Sequence, residues 1–322
     1  MSGGPGGGGT TPMFQEWLQE LSKKGTLTSS SGGQKITDKL KGELEEALKE
    51  LGSSIADRWE SYEVSLHCAE AWKLVEAGGQ QKNDYLQELC KGIAEIKYFM
   101  SGVKTVRTGQ AATSDKGAEI TKLTDDNTYP RCIVGALVLS ELYADHCHFD
   151  KVIGHLGDKV DEKIKTGHTT AADNLDICKE VTKEDLVFAK SLLQNKIKQW
   201  TEGERKEGHD FRRWRIYKPW TYWQHVCGSG RGDKAKLQQH RKKNAPSMTT
   251  FLKLNDNNTS SRNEVSIEDV LADGENKYTV QQDKLEEKLS KAIKNGSSVD
   301  PDAMKELTQM LTDKSHTVKG KS

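Results

Sequence analysis

Asn83-Asp84-Tyr85-Leu86-Gln87-Glu88-Leu89-Cys90-Lys91-Gly92-Ile93-Ala94-Glu95-Ile96-Lys97-Tyr98-Phe99-Met100 and, after a polar gap, Tyr129-Pro130-Arg131-Cys132-Ile133-Val134-Gly135-Ala136-Leu137-Val138-Leu139-Ser140-Glu141-Leu142 are the two segments that decide the fold. In the first, Leu86, Leu89, Cys90, Ile93, Ile96, Met100 and Val103 recur at steps of three and four, the period that lines one face of an α-helix. Cys90 falls inside that stripe and is expected to be buried. The second opens at Tyr129-Pro130, where proline suits a first helical turn because it has no N–H to leave unpaired. Cys132 stands near its start and Cys147 at its end. It is the most hydrophobic helical pattern in the chain, so the other helices are expected to pack on it.

Working outward on the N-terminal side, Phe14, Trp17, Leu18 and Leu21 predict a short amphipathic helix ending near Gly25. Leu40, Leu44, Ala47, Leu48 and Leu51 predict another, capped by Thr37 and stopped by Gly52. Ser54 and Asp57 have capping-box spacing before a wide apolar arc that includes Trp59, Leu66, Cys68 and Trp72. On the C-terminal side, 105–127 reads as a long polar connection and Val152 to Ile164 as one helix. Thr182, with Asp185 three residues on, caps a helix carrying Leu186, Ala189, Leu193, Ile197 and Trp200. Short amphipathic helices follow at 266–272, 285–293 and 300–311. Seven or so helices with no defensible strand predict an all-α bundle. The expected organisation is a flexible, disordered glycine-rich leader over 1–12 and a helical cysteine-containing domain over 13–228. A linker over 229–264 and a polar short-helix tail over 265–322 complete it, the tail being either partner-dependent or the start of an incomplete module.

Composition limits the function classes. With 48 basic and 48 acidic residues the formal net charge is zero, so there is no global field to draw in nucleic acid or an anionic membrane. Charged residues make up 30% of the chain and mean hydropathy is −0.76, which makes much of it surface. The longest apolar run, Ile133 to Leu142, is about half of what a bilayer span needs. Met1 to Thr11 has neither a basic region nor an apolar run, so a conventional secretory signal is not expected.

Six cysteines, at 68, 90, 132, 147, 178 and 227, contain no C-x-x-C pair, which argues against redox and zinc-ribbon motifs. They suit either disulfides across a bundle or reduced core thiols, and their pairing is not legible. Asp145-His146-Cys147-His148 resembles a metal cluster, but adjacent helical residues diverge and no metal is expected. No cofactor is expected, and no G-x-S-x-G, H-E-x-x-H or P-loop motif stands in a supporting context, so an enzyme is not expected. The densest local feature is Phe211-Arg212-Arg213-Trp214-Arg215-Ile216-Tyr217-Lys218-Pro219-Trp220-Thr221-Tyr222-Trp223. Arg212, Arg213, Trp214, Arg215, Tyr217, Trp220 and Trp223 form a candidate docking patch for an anionic ligand such as a single strand, a sulfated sugar or a lipid headgroup. The reading favoured here is an arm laid over the bundle and pinned by Cys227, its arginines reaching water. Arg231-Gly232-Asp233 matches an adhesion tripeptide of a length that recurs by chance.

The text from Leu89-Cys90-Lys91-Gly92-Ile93 through Tyr98-Phe99-Met100-Ser101-Gly102-Val103, Tyr129-Pro130-Arg131-Cys132-Ile133-Val134-Gly135-Ala136-Leu137 and Asp145-His146-Cys147-His148 resembles the N-terminal alpha domain of the SICAvar proteins, the schizont-infected cell agglutination variant antigens of malaria parasites. Phe14-Gln15-Glu16-Trp17-Leu18 and the stretch from Trp214 through Cys227 also look like that family. The resemblance implies an extracellular, disulfide-stapled helical bundle in which Cys68, Cys90, Cys132, Cys147, Cys178 and Cys227 are bonded. It implies a non-enzymatic variant antigen exported to the infected red-cell membrane. Its expected partners are host antibodies, with host-cell surface ligands or other copies of the antigen beside them; no nucleic acid is expected. Family members continue through further cysteine-rich domains to a transmembrane helix, and these 322 residues carry neither. Anchoring is therefore expected to lie with a longer form of the chain or with anchored copies. The alternative is an intracellular helical scaffold or nucleic-acid binder using 211–223.

Overall fold

The computed structural model describes residues 11–24, 33–56, 62–76, 79–107, 116–120, 125–167, 169–206, 214–221, 226–228, 233–254, 264–294 and 298–313. Most of the expected leader, along with Asp57, Trp59, Phe211 to Arg213 and Tyr222 to His225, lies outside them.

At the centre run α4 (Gly79–Met100) and α5 (Asp125–Tyr143). Every residue from Thr128 to His146 is buried, which explains why α5 shows no one-sided stripe: a helix apolar all round has neighbours all round. Those neighbours include α1 (Met13–Lys23), α2 (Gly33–Ala56), α8 (Thr169–Cys178) and α9 (Lys183–Lys206). Two glycines let α4 and α5 approach: a Cβ at Gly92 would overlap the Tyr143 hydroxyl, and one at Gly135 the Met100 side chain. Around this pair stand α3 (Tyr62–Cys68), a 3₁₀ turn at Ala71–Leu74, α6 (Phe149–Leu156), α7 (Lys159–Gly167) and α10 (Trp214–Thr221). The C-terminal part adds α11 (Lys234–Leu252), α12 (Ile267–Ala272), α13 (Gln282–Ala292) and α14 (Pro301–Thr312).

The all-α class holds, and the departures from the sequence reading have local causes. Two short antiparallel ladders occur where no strand was expected. One pairs β1 (Val103–Arg107) with β2 (Lys116–Ile120) inside the polar connection; the other pairs β3 (Ile293–Lys294) with β4 (Ser298–Val299). Helix α5 begins at Asp125, so Pro130 lies one turn inside it, where its missing N–H forfeits a single bond near the helix start. Gly52 does not stop α2; the helix continues to Ala56, and Gly52 packs on the Trp200 ring. The single helix expected over Val152 to Ile164 is broken by Gly157, which has φ of +46°.

The largest correction concerns the C-terminal third. The stretch read as a linker holds α11, and the buried apolar residues form one cluster running from Met13 to Leu311, so the tail packs on the same core. Lys190 from α9 reaches across to donate to the Val270 and Asp273 carbonyls and pairs with the Asp273 carboxylate at 3.0 Å. The helices expected at 266–272 and 300–311 form, and their starts are capped: Asp300 accepts from Asp302 and Ala303 ahead of Pro301, and Ser266 and Asp269 make a capping box. Thr182 and Asp185 cap α9 as expected. The Asp185 carboxylate also accepts from the Met13 and Phe14 N–H groups, fastening α1 to the start of α9. Burial pushes the Asp185 carboxyl up to about 7 against four donors, the Met13, Phe14 and Thr182 N–H groups and the Thr182 hydroxyl.

Candidate functional site

The six cysteines form three disulfides: Cys68–Cys90, Cys132–Cys178 and Cys147–Cys227, with Cα separations of 5.7, 5.2 and 5.6 Å. These lie in the range a disulfide needs. The first ties α3 to α4 and the second α5 to α8. The third ties the turn after α5 to the end of the segment that carries α10.

That segment lies along α4. Arg215 pairs with Glu95 at 3.2 Å, and Glu95 also accepts from the Ser54 hydroxyl at 2.6 Å. Pro219 sits four residues after Arg215 and has no N–H to give its carbonyl; the Tyr143 hydroxyl donates to that carbonyl instead, at 3.0 Å. Trp220 stands edge-on to His146, with centroids 5.3 Å apart, and the Arg205 guanidinium lies 3.8 Å over its ring. Lys218 is paired with Asp84.

The docking-patch reading is corrected for the members that the structure describes. Arg215 is 3% exposed and Trp220 2% exposed, so neither is free to stack on or pair with a ligand. The cause is Glu95, a buried carboxylate on α4 that draws the guanidinium inward. Tyr217 is half-buried. Trp214 begins α10, and Arg212, Arg213 and Trp223 lie outside the described residues.

Beside the third disulfide the Cys147 sulfur and the ring nitrogens of His146 and His148 lie within 4.8 Å of one another. The donor set does not fit a metal ion while the disulfide is intact. Cys147 has no thiolate to offer. His146 donates from Nε2 to the Pro219 carbonyl at 3.0 Å, and its Nδ1 accepts the His148 N–H at 3.2 Å, so both ring nitrogens are used. His148 Nδ1 is 3.0 Å from the Tyr85 hydroxyl. These contacts fix His146 as the neutral Nε2–H tautomer, because a proton on Nδ1 would face an N–H donor.

Burial and the neighbouring His148 push the His146 ring down to about 3, and burial together with Lys151 pushes His148 down to about 4. An imidazole held neutral in the folded chain contributes stability above the usual histidine value that is lost as pH falls. Stability from His146 is therefore expected to fall by about 1.4 kcal/mol per pH unit between about 6.5 and 3. Asp185 acts oppositely: its contribution is present at low pH and lost as pH rises through about 7. Comparing the chain with His146→Gln cancels that shared term. Urea midpoints of the variant should decline less steeply with acid than those of the unaltered chain, and parallel curves would refute the neutral imidazole.

The polar residues that close this region were not found by sequence reasoning. The last carbonyls of α5 need caps. Arg205 donates to the Glu141 and Leu142 carbonyls, and Asn244 of α11 donates to those of Ala144 and His146. Arg205 also pairs with Asp145 at 2.9 Å, and Arg241 of α11 pairs with Glu141 at 3.1 Å. Asp233, the last residue of the adhesion-like tripeptide, is the N-cap of α11, accepting from the Lys236 N–H. No helix among the described residues is long and apolar enough to cross a membrane.

In comparisons with known proteins, the family model described as the SICA extracellular alpha domain matches residues 11–200. No curated protein and no solved structure matches. The matched stretch runs from the approach to α1 into α9 and contains five of the six cysteines.

Proposed function

This chain belongs to the SICA extracellular alpha domain family, and from that premise we propose that it is a variant surface antigen of the infected erythrocyte, exported to the red-cell surface and recognised there by host antibodies. The observation that carries the reading is the family match together with six cysteines that all pair, an arrangement suited to an oxidising exterior. The family is one of surface antigens rather than enzymes. A core fixed by three crosslinks and by helices buried on several sides leaves outer connections free to change at little cost in stability. The polar stretch 105–127 is the candidate for such change. Adhesion to host-cell ligands, or pairing with anchored copies, would use the same outer face.

Antibodies raised against the oxidised domain are expected to stain intact, unpermeabilised infected cells and to agglutinate them. Staining only after permeabilisation would sink the surface assignment. Nucleic-acid binding has less support, because Arg215 and Trp220 are turned into the core.

A further inference from the structure

The three disulfides differ in access. Cys68, Cys90 and Cys132 have no exposed surface and Cys178 has 1%, so a thiol reaches those sulfurs only if the core opens. Cys147 and Cys227 are both partly exposed. Their surroundings differ too. The Cys147 sulfur shares its 4.8 Å cluster with the rings of His146 and His148, and Lys151, Lys243 and His240 act electrostatically on His148. Of the nearby carboxylates, Asp145 is paired with Arg205 and Arg241, while Asp150 accepts a hydrogen bond from the Ser247 hydroxyl and keeps its charge. Negative charge arriving on Cys147, next to His148, therefore falls in the field of the Lys151 and Lys243 ammonium groups, a setting that stabilises a thiolate.

We propose that Cys147–Cys227 is a thiol-exchange site, at which a small external thiol of the glutathione class reduces this disulfide and spares the other two. The thiolate sulfur bonds to Cys227 Sγ, the S–S bond breaks, and its electron pair leaves on Cys147 Sγ. A second thiolate then displaces Cys227 from the mixed disulfide. Two external thiols become one disulfide, and the protein disulfide gains the two electrons and becomes two thiols. Cys147 is the leaving group because the more stable thiolate leaves faster. Exchange frees the segment carrying α10 from its covalent tie, leaving the Arg215–Glu95 pair and the His146–Pro219 hydrogen bond to hold it.

The test treats the full oxidised chain with millimolar 2-mercaptoethanol at neutral pH, quenches with an alkylating reagent and maps the labelled peptides by mass. Cys147 and Cys227 are expected to label about tenfold faster than any other cysteine. Labelling of all six together, or of either buried pair first, overturns the site. With Lys151→Gln and Lys243→Gln combined, exchange is expected to slow about threefold. The unaltered chain should likewise exchange more slowly as salt rises, because screening weakens the same charges. Rates that ignore both changes would overturn the electrostatic assignment even if that double variant folds poorly.

Discussion

Replacing Cys147 and Cys227 together with alanine is expected to lower the free energy of unfolding by about 4.5 kcal/mol, because the bond closes a loop with a sequence separation of 80 residues. A crosslink acts largely on the unfolded chain, removing conformations that grow with the logarithm of loop length. On the same scale Cys132–Cys178 and Cys68–Cys90, with separations of 46 and 22, contribute about 4 and about 3.4 kcal/mol. The ordering has a structural counterpart. The outermost sulfur pair encloses α6 to α10 in its loop, whereas the shortest joins α3 to the helix that follows it. Urea unfolding without reductant measures the effect, with the slope expected to rise because the uncrosslinked unfolded chain exposes more surface. A loss below about 1 kcal/mol would mean that the loop is already constrained without the bond.

The second large effect is expected at Arg241. Replacing it with leucine should cost about 4 kcal/mol, because an apolar stem remains while the buried Glu141 and Asp145 lose their shared cation. Burial pushes the Glu141 carboxyl up, but Arg241 and Lys190 together outweigh that and hold it below the usual carboxylate range. Its contribution is thus present above about 4.5 and lost as pH falls through the folded value. Without Arg241 burial acts with less opposition and the carboxyl is displaced upward, so the penalty should shrink as the pH is lowered towards 4. Denaturation of both proteins across pH, with Arg241→Leu combined with Glu141→Leu as a control, checks this. The combined variant should be less destabilised than Arg241→Leu alone. A penalty that stays constant with pH would show that lost packing, not the orphaned carboxylate, is responsible.

Several elements were legible because their signals are local. The stripe from Leu86 to Val103 defines a helix and the face it buries. Thr182 with Asp185 marks a helix start through side chains that bond within one turn. The apolar density of Ile133 to Leu142 placed α5 at the centre. The resemblance carried by the cysteine-flanking text supplied the family, which the match over 11–200 shows.

Sequence by itself therefore determined the helical class, the cap at Thr182 and Asp185, the central pair of helices and the burial of Cys90; Thr37 and Ser54, read as caps, lie inside α2. Tertiary structure alone decided which sulfurs meet, since pairing needs Cα atoms within a few ångströms and that distance is set by packing. It also decided that 234–252 joins the core. That segment hides its buried face behind polar letters: Arg241 and Asn244 bond to Glu141 and to the Ala144 carbonyl, each 100 residues away, and no local pattern encodes a partner at that distance. Arg215 follows the same rule, because a guanidinium reads as surface until Glu95, 120 residues earlier, supplies the buried carboxylate that draws it inward.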